Sequence, residues 1–204
     1  MPRLVGQVNR VKAEAMLVAA GAVMAERGFC APLEAIAKRA GVSKQTIYNH
    51  YGGKAGLLRA LIGRRVDELT APLADGKTGP GPDIVLAAFA LELLEATLSP
   101  GNIALTRVAI QGASDMPDIA QAMDEAGASV ARARLAQFLE VETDAGRLDV
   151  DDVWEAADFF SAMVGARQVR ALLGLPVETD RATLERLSVS IAKRFVAAYA
   201  PKPC

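Results

Sequence analysis

Histidine is almost missing from this chain of 204 residues: His50 is the only one. A single His leaves none for a second acid–base partner or for a Ser-His-Asp triad. Cysteine is nearly as scarce. Cys30 and Cys204 are far apart and cannot supply a zinc site with one His, nor a disulfide framework. The expectation is a chain with no catalytic residues, no metal and no cofactor, working in a reducing cytoplasm. Cys30 reads as a small hydrophobe, with a redox role left open. Asp149, Asp151 and Asp152 cluster, and "DVDD" before a helix reads as a cap rather than a catalytic group.

Long apolar runs are also absent. The best, Val85 to Leu94, is short and interrupted by Glu92, so no membrane span is expected. The first residues, "MPRLVGQVNRVKAEA", lack the apolar core of a secretory leader. Aromatics make up only 5% of the chain, while hydrophobic residues make up 51%, largely Ala, Val and Leu. That balance excludes a disordered chain and favours helices over sheet.

Acidic residues are missing from one region in particular. None occurs between Ala35 and Asp67. Residues 1–65 hold 11 Lys and Arg against 3 Asp and Glu, a net of +8; residues 66–204 hold 12 against 21, a net of −9. The overall charge of −1 hides this split. A basic first third beside an acidic remainder points to a polyanion as partner. Chance excess of solvated Lys and Arg would give the same count, so charge alone does not decide.

Helical periodicity decides more. Met16, Ala20, Val23 and Met24 share one face of a first helix, from about Val8 to Arg27, closed by Gly28. Pro32 suits the first turn of a second helix, with Leu33, Ile36, Ala37 and Ala40 as its stripe. Gly41 ends it, Ser43 caps a third, and Ile47 and Tyr51 face the core four residues apart. Gly52-Gly53 ends the third helix. A fourth starts at Lys54, with Leu57, Leu58, Leu61 and Ile62 inward. After the loop "ADGKTGPGPD", helices are expected at about 83–98, 102–113, 117–143, 151–173 and 180–199, with Gly127 as a possible break. The fold class is therefore all-α. The expected division is a first helical domain over 1–53, a connecting helix over 54–72, and a larger helical domain over 73–204, the last assigned to ligand binding and dimerisation only by the family resemblance set out below.

Helix, "AGVS" turn and helix make a helix-turn-helix. Its second helix offers Lys44, Gln45, Thr46, Tyr48, Asn49 and His50 outward, each able to meet phosphates or base edges. The stretch "AAGAVMAERGF…LEAIAKRAGVSKQTIYNHYGGKAGLLRAL" resembles the DNA-binding domain of the TetR family of bacterial transcriptional regulators over roughly residues 14–62. The resemblance implies a cytoplasmic homodimer that places its third helix in the major groove of a double-stranded operator. It implies that Lys44, Gln45 and Thr46 face the groove, that Tyr48 and His50 contact backbone or groove, and that Lys54 binds phosphate. Asn49 falls where the family varies, which suits base reading. The chain departs from the family at Ala31-Pro32, where a Thr or Ser cap is usual, and at Gly53, where Ser or Asn is usual.

The second half, with "LTRVAIQGASDMPDIAQAMDEAG", "AGRLDVDD" and "ALLGLP", looks like the regulatory domain of the AefR-like subgroup. That likeness implies a small-molecule effector. Candidate pocket residues are Phe89, Leu93, Arg107, Gln111, Met123, Phe138, Trp154, Phe159 and Met163; each apolar one could equally be plain core. The expected dimer surface runs along the last two helices through Ala157, Phe160, Val164, Leu184, Leu187 and Ile191. The expected function is a repressor released from a pseudo-palindromic operator by its effector. The alternatives are an activator, or a helix-turn-helix module that binds protein instead of DNA.

Overall fold

A computed structural model of the chain describes residues 5–28, 31–75, 80–112, 114, 117, 121 and 123–201. It is 82% helical, with no strand among the described residues. The helices are α1 (Val5–Arg27), α2 (Leu33–Ala40), α3 (Lys44–Tyr51), α4 (Lys54–Thr70), α5 (Pro82–Leu98), α6 (Pro100–Gly112), α7 (Ser129–Asp144), α8 (Val153–Leu172) and α9 (Arg181–Ala198). A short tight turn of helix, Ala71–Asp75, follows α4. The expected segment over 117–143 is broken: a wider π-type turn, Asp124–Ala128, precedes α7 and contains Gly127.

Two compact units result: Met1–Arg65 with Ala104–Gly127, and Val66–Ile103 with Ala128–Cys204. The division is not a single cut along the chain, because most of α6 and the π-type turn lie in the first unit. In that unit Met16, Ala20, Val23 and Met24 of α1 are buried against Ile36 and Ala37 of α2, Ile47 of α3, and Leu57 and Leu58 of α4. Leu105, Ala109 and Met123 pack on the same core. The apolar stripes read from spacing are the ones that meet. Removing that much apolar surface from water is the main favourable term holding these four helices together.

The core of the second unit is built on an aromatic chain. Phe89 of α5 stacks on Phe160 of α8 at 5.9 Å, Phe160 meets Phe195 of α9 edge-on at 5.1 Å, and Phe195 meets Tyr199 at 4.8 Å. Asp152 caps α8 by accepting from the Trp154 and Glu155 amides, in keeping with the "DVDD" pattern. Asp180 caps α9 in the same way through the Thr183 amide. That bond holds the Asp180 carboxyl below its ordinary range. No single helix among the described residues is long and apolar enough to cross a membrane.

Candidate nucleic-acid interface

The turn between α2 and α3 is fixed by local chemistry. Gly41 takes a left-handed conformation (φ 66°), and its amide and that of Val42 return to the Lys38 and Ala37 carbonyls. Ser43 opens α3: its Oγ accepts from the Thr46 amide at 3.1 Å and pairs with the Thr46 hydroxyl at 2.8 Å. Ile47 is fully buried and anchors the inner face. Tyr51 is half-buried and its hydroxyl donates to the Ala13 carbonyl of α1 at 3.3 Å. Burial, with some help from the charge of Glu14, pushes that phenol above its usual pKa.

The outer face follows from those anchors. Lys44, Gln45, Tyr48, Asn49 and His50 are exposed, and Thr46 is half-buried beside the cap. Residues 44, 45, 48 and 49 fall on adjacent rows of one helix face. Gln45 Nε2 donates to Asn49 Oδ1 at 2.9 Å, so these two amides are held together as a pair. Lys44 Nζ lies 5.9 Å from the Tyr48 ring centre and donates to Glu34 Oε1 at 2.5 Å. That hydrogen bond holds the Glu34 carboxyl below its ordinary range and raises Lys44. Sequence reasoning misses Glu34. It stands one residue outside the acid-free region, and its approach to Lys44 exists only once α2 folds against α3.

Lys54 differs from expectation. Its ammonium does not simply point outward: Nζ donates to the Ala31 carbonyl at 2.6 Å, tying the start of α4 to the segment before α2. Ala31 is buried and its carbonyl precedes the helical ladder, so it needs a donor. Pro32, the N-cap of α2, makes no side-chain cap bond. Gly53 also matters more than its sequence suggests. Its φ is 121°, and a Cβ there would come 3.2 Å from Tyr48 Cε1. Gly53→Ser is expected to cost about 1–3 kcal/mol in backbone strain and to shift the Tyr48 ring. A thermal melt and a DNA titration of the variant check this; a serine variant equal to wild type in both would refute it.

The expected ligand residues are divided between the two units. Phe89 and Phe138 are buried; Leu93, Met123 and Met163 are half-buried; Arg107, Gln111, Trp154 and Phe159 are exposed. Arg107, Gln111 and Met123 belong to the first unit, the other six to the second. The second unit holds a cavity of about 380 Å³ lined by Asp67, Thr70, Ala71, Leu73, Ala74, Arg134, Gln137, Phe138 and Val141. Only Phe138 of the nine expected residues lines it. Arg134 bridges it, donating to Thr70 Oγ1 at 2.6 Å and to Asp67 Oδ1 at 2.5 Å.

The residues of the expected dimer surface lie mostly inside the second unit. Ala157, Phe160, Val164, Leu184 and Ile191 are buried inside the second unit, and Leu187 is half-buried. Ala157, Phe160 and Val164 face inward because α8 has two apolar sides and the aromatic chain through Phe160 claims this one; Leu184 and Ile191 lie on the buried side of α9. The outward side of α8 carries Phe159, Ala162, Ala166 and Val169, with Leu173 just beyond, all exposed.

Known proteins match along most of the chain. Residues 16–61 fit the model of the tetR family of bacterial regulatory proteins. Residues 84–201 fit the C-terminal domain of AefR-like transcriptional repressors. The solved structure of the flavonoid-responsive regulator FrrA is 32% identical, covering 94% of this chain and 98% of its own, with a TM-score of 0.70. A TetR-family regulator from Mesorhizobium loti is 23% identical over 94% of this chain and 98% of its own, with a TM-score of 0.79. The transcriptional activator FasR of Mycolicibacterium smegmatis is 42% identical over 57 residues, which is 28% of this chain and about a quarter (26%) of FasR. With a family model over more than half its residues and helix-turn-helix chemistry at its first unit, the chain belongs to the TetR family of DNA-binding transcriptional regulators.

Proposed function

We propose that this regulator is a homodimeric repressor that holds a pseudo-palindromic operator and leaves it when a small molecule binds. The observation that carries the DNA half of this reading is the outer face of α3. Lys44, Gln45, Tyr48, Asn49 and His50 are exposed together, while Ile47 and Tyr51 fix the helix from behind. Neutral hydrogen-bonding groups on this face suit base edges and phosphates. The surrounding +8 of residues 1–65 supplies long-range attraction. Binding to the chain's own upstream region should fall steeply as salt rises. A purified protein that retains no such fragment at low salt would defeat the reading.

Asn49 and Gln45 are the proposed base readers. Their side chains are already paired, so a donor and an acceptor arrive at the groove in fixed relation. An adenine edge, with one donor and one acceptor, matches such a set. Asn49→Ala is expected to flatten the preference at one half-site position, by about 1–3 kcal/mol, in a binding selection over randomised operators. Equal loss on every sequence would remove that role. Tyr48→Ala should instead weaken all sequences alike.

The effector half draws on the cavity beside Arg134. Its volume is in the range of small-molecule sites, and it combines apolar walls (Leu73, Phe138, Val141) with polar groups (Thr70, Arg134, Gln137). FrrA is by name flavonoid-responsive, which makes flavonoids the first class to test for release of DNA. The dimer half draws on the outward side of α8. Phe159, Ala162, Ala166, Val169 and Leu173 recur at alternating spacings of three and four, as in a helix–helix seam. Two such faces around a dyad would set the recognition helices for half-sites about one DNA turn apart, ~34–36 Å. Ligand and DNA would then favour different separations, so each would weaken the other. The match to FasR, an activator, favours a second reading in which the bound protein raises transcription. Transcript levels of the neighbouring genes in a deletion strain separate the two: repression predicts a rise.

A further inference from the structure

The three carboxylates of residues 1–65 are all spoken for. Glu14 pairs with Arg64, Glu26 with Arg39, and Glu34 with Lys44, each at 2.5 Å. The first two join helix bodies within the first unit. The third is different in kind, because it joins the first turn of α2 to the first residue of the recognition helix. Its side chains remain 48% and 60% exposed. An exposed pair of this sort adds little to fold stability. What it changes is the charge that α3 presents, since Lys44 is the one lysine on that helix.

We infer that Glu34 competes with DNA phosphate for the Lys44 ammonium and so limits the affinity of the recognition helix for any duplex. The ammonium has three donors, but its charge already faces the Glu34 carboxylate at 2.5 Å, so a phosphate meets a lysine that is largely neutralised. Nζ lies on Glu34 Oε1 with the Tyr48 ring centre 5.9 Å away. A phosphate draws on Lys44 against the pull of the carboxylate, and where it takes the ammonium away the carboxylate stands unpaired near the backbone. Glu34 thus acts twice against docking, once as rival and once as repeller. Neither action reads sequence, so operator and random DNA are affected alike. This inference depends on the DNA-binding reading given above.

A double-mutant cycle on the full-length protein tests it. Glu34→Gln, Lys44→Met and the double variant are titrated with an operator duplex and with a random duplex, across a series of salt concentrations. For Glu34→Gln the expected result is tighter binding to both duplexes, several-fold at low salt. Its salt dependence should steepen by about one counterion, the signature of one added phosphate contact. Sequence preference should not change. In the Lys44→Met background, Glu34→Gln should give a clearly smaller gain, the part that comes from repulsion alone. Thermal melts of all four proteins should agree closely, which separates this role from a structural one. A gain from Glu34→Gln that persists in full when Lys44→Met is also present would overturn the competition and leave plain repulsion. Wild-type binding with no change in Glu34→Gln would overturn the inference alone. No binding of any duplex by wild type would overturn both it and the regulator reading.

Discussion

Phe160→Ala is expected to lower the stability of the protein by about 3–5 kcal/mol, the cost of a large aromatic truncated in a core. Phe160 has no exposed surface and lies between Phe89 and Phe195, so alanine removes both ring contacts and leaves a cavity that α5, α8 and α9 cannot all close. For a chain of this length the melting temperature should fall by on the order of 10 °C. The neighbouring Phe159 is 53% exposed, and Phe159→Asp should do something else. It places a charge on the proposed seam, which would cost little within one protomer and much between two. Sedimentation should then report monomers at concentrations where wild type is dimeric, while the far-ultraviolet spectrum keeps its helical signal. Because a dimer's unfolding depends on concentration, the melts are compared at one fixed concentration. If instead Phe159→Asp unfolds the chain and Phe160→Ala only dissociates it, the two faces of α8 have been assigned the wrong way round.

These two adjacent residues mark where the sequence stops being readable. Periodicity finds α8 but not its inward side, because the helix has one apolar stripe through Ala157, Phe160 and Val164 and a second through Phe159, Ala162, Ala166 and Val169. A 3.6-residue period cannot choose between two such stripes; only the partners on α5 and α9 can. The helix-turn-helix, by contrast, is legible almost residue by residue. Its determinants are local: a left-handed Gly41, the Ser43 cap, and Ile47 and Tyr51 at i and i+4. The Glu34–Lys44 pair and the Lys54–Ala31 bond are hidden because they join residues 10 and 23 apart across a turn. The cavity is hidden for the same reason. Its walls come from the end of α4, the short turn after it and α7, and no spacing in the sequence relates Thr70 to Arg134.

Arg147→Ala is the second change expected to have a large effect. Glu142, in the last turn of α7, keeps only 2% of its side chain exposed. A buried carboxylate is tolerable when its oxygens are met, and here Arg147 meets both: Nε to Oε2 at 2.6 Å and Nη2 to Oε1 at 2.8 Å. The bond to Glu142 raises the Arg147 guanidinium above its ordinary pKa. The backbone closes over the same residue, since the Arg147 and Leu148 amides both donate to the Glu142 carbonyl. Two residues on, the Asp149 amide donates to the Tyr199 carbonyl at 2.9 Å, which pins the loop to the end of α9. Alanine at 147 leaves the carboxylate buried and unpaired, the costly half of a broken buried pair. Arg147 is itself 40% exposed, so water offsets part of the loss, and a fall of on the order of 5 °C in melting temperature is expected. Lysine should recover only part of it, because a point charge cannot reproduce the two-pronged bond. The deciding measurement is the double variant Glu142→Met with Arg147→Ala. An apolar side chain of similar length asks for no partner, so adding Glu142→Met should restore most of the melting temperature lost with Arg147. If the loss persists in the double variant, Arg147 stabilises the α7–α8 junction through contacts other than Glu142, and the buried carboxylate is not what the arginine is there to satisfy.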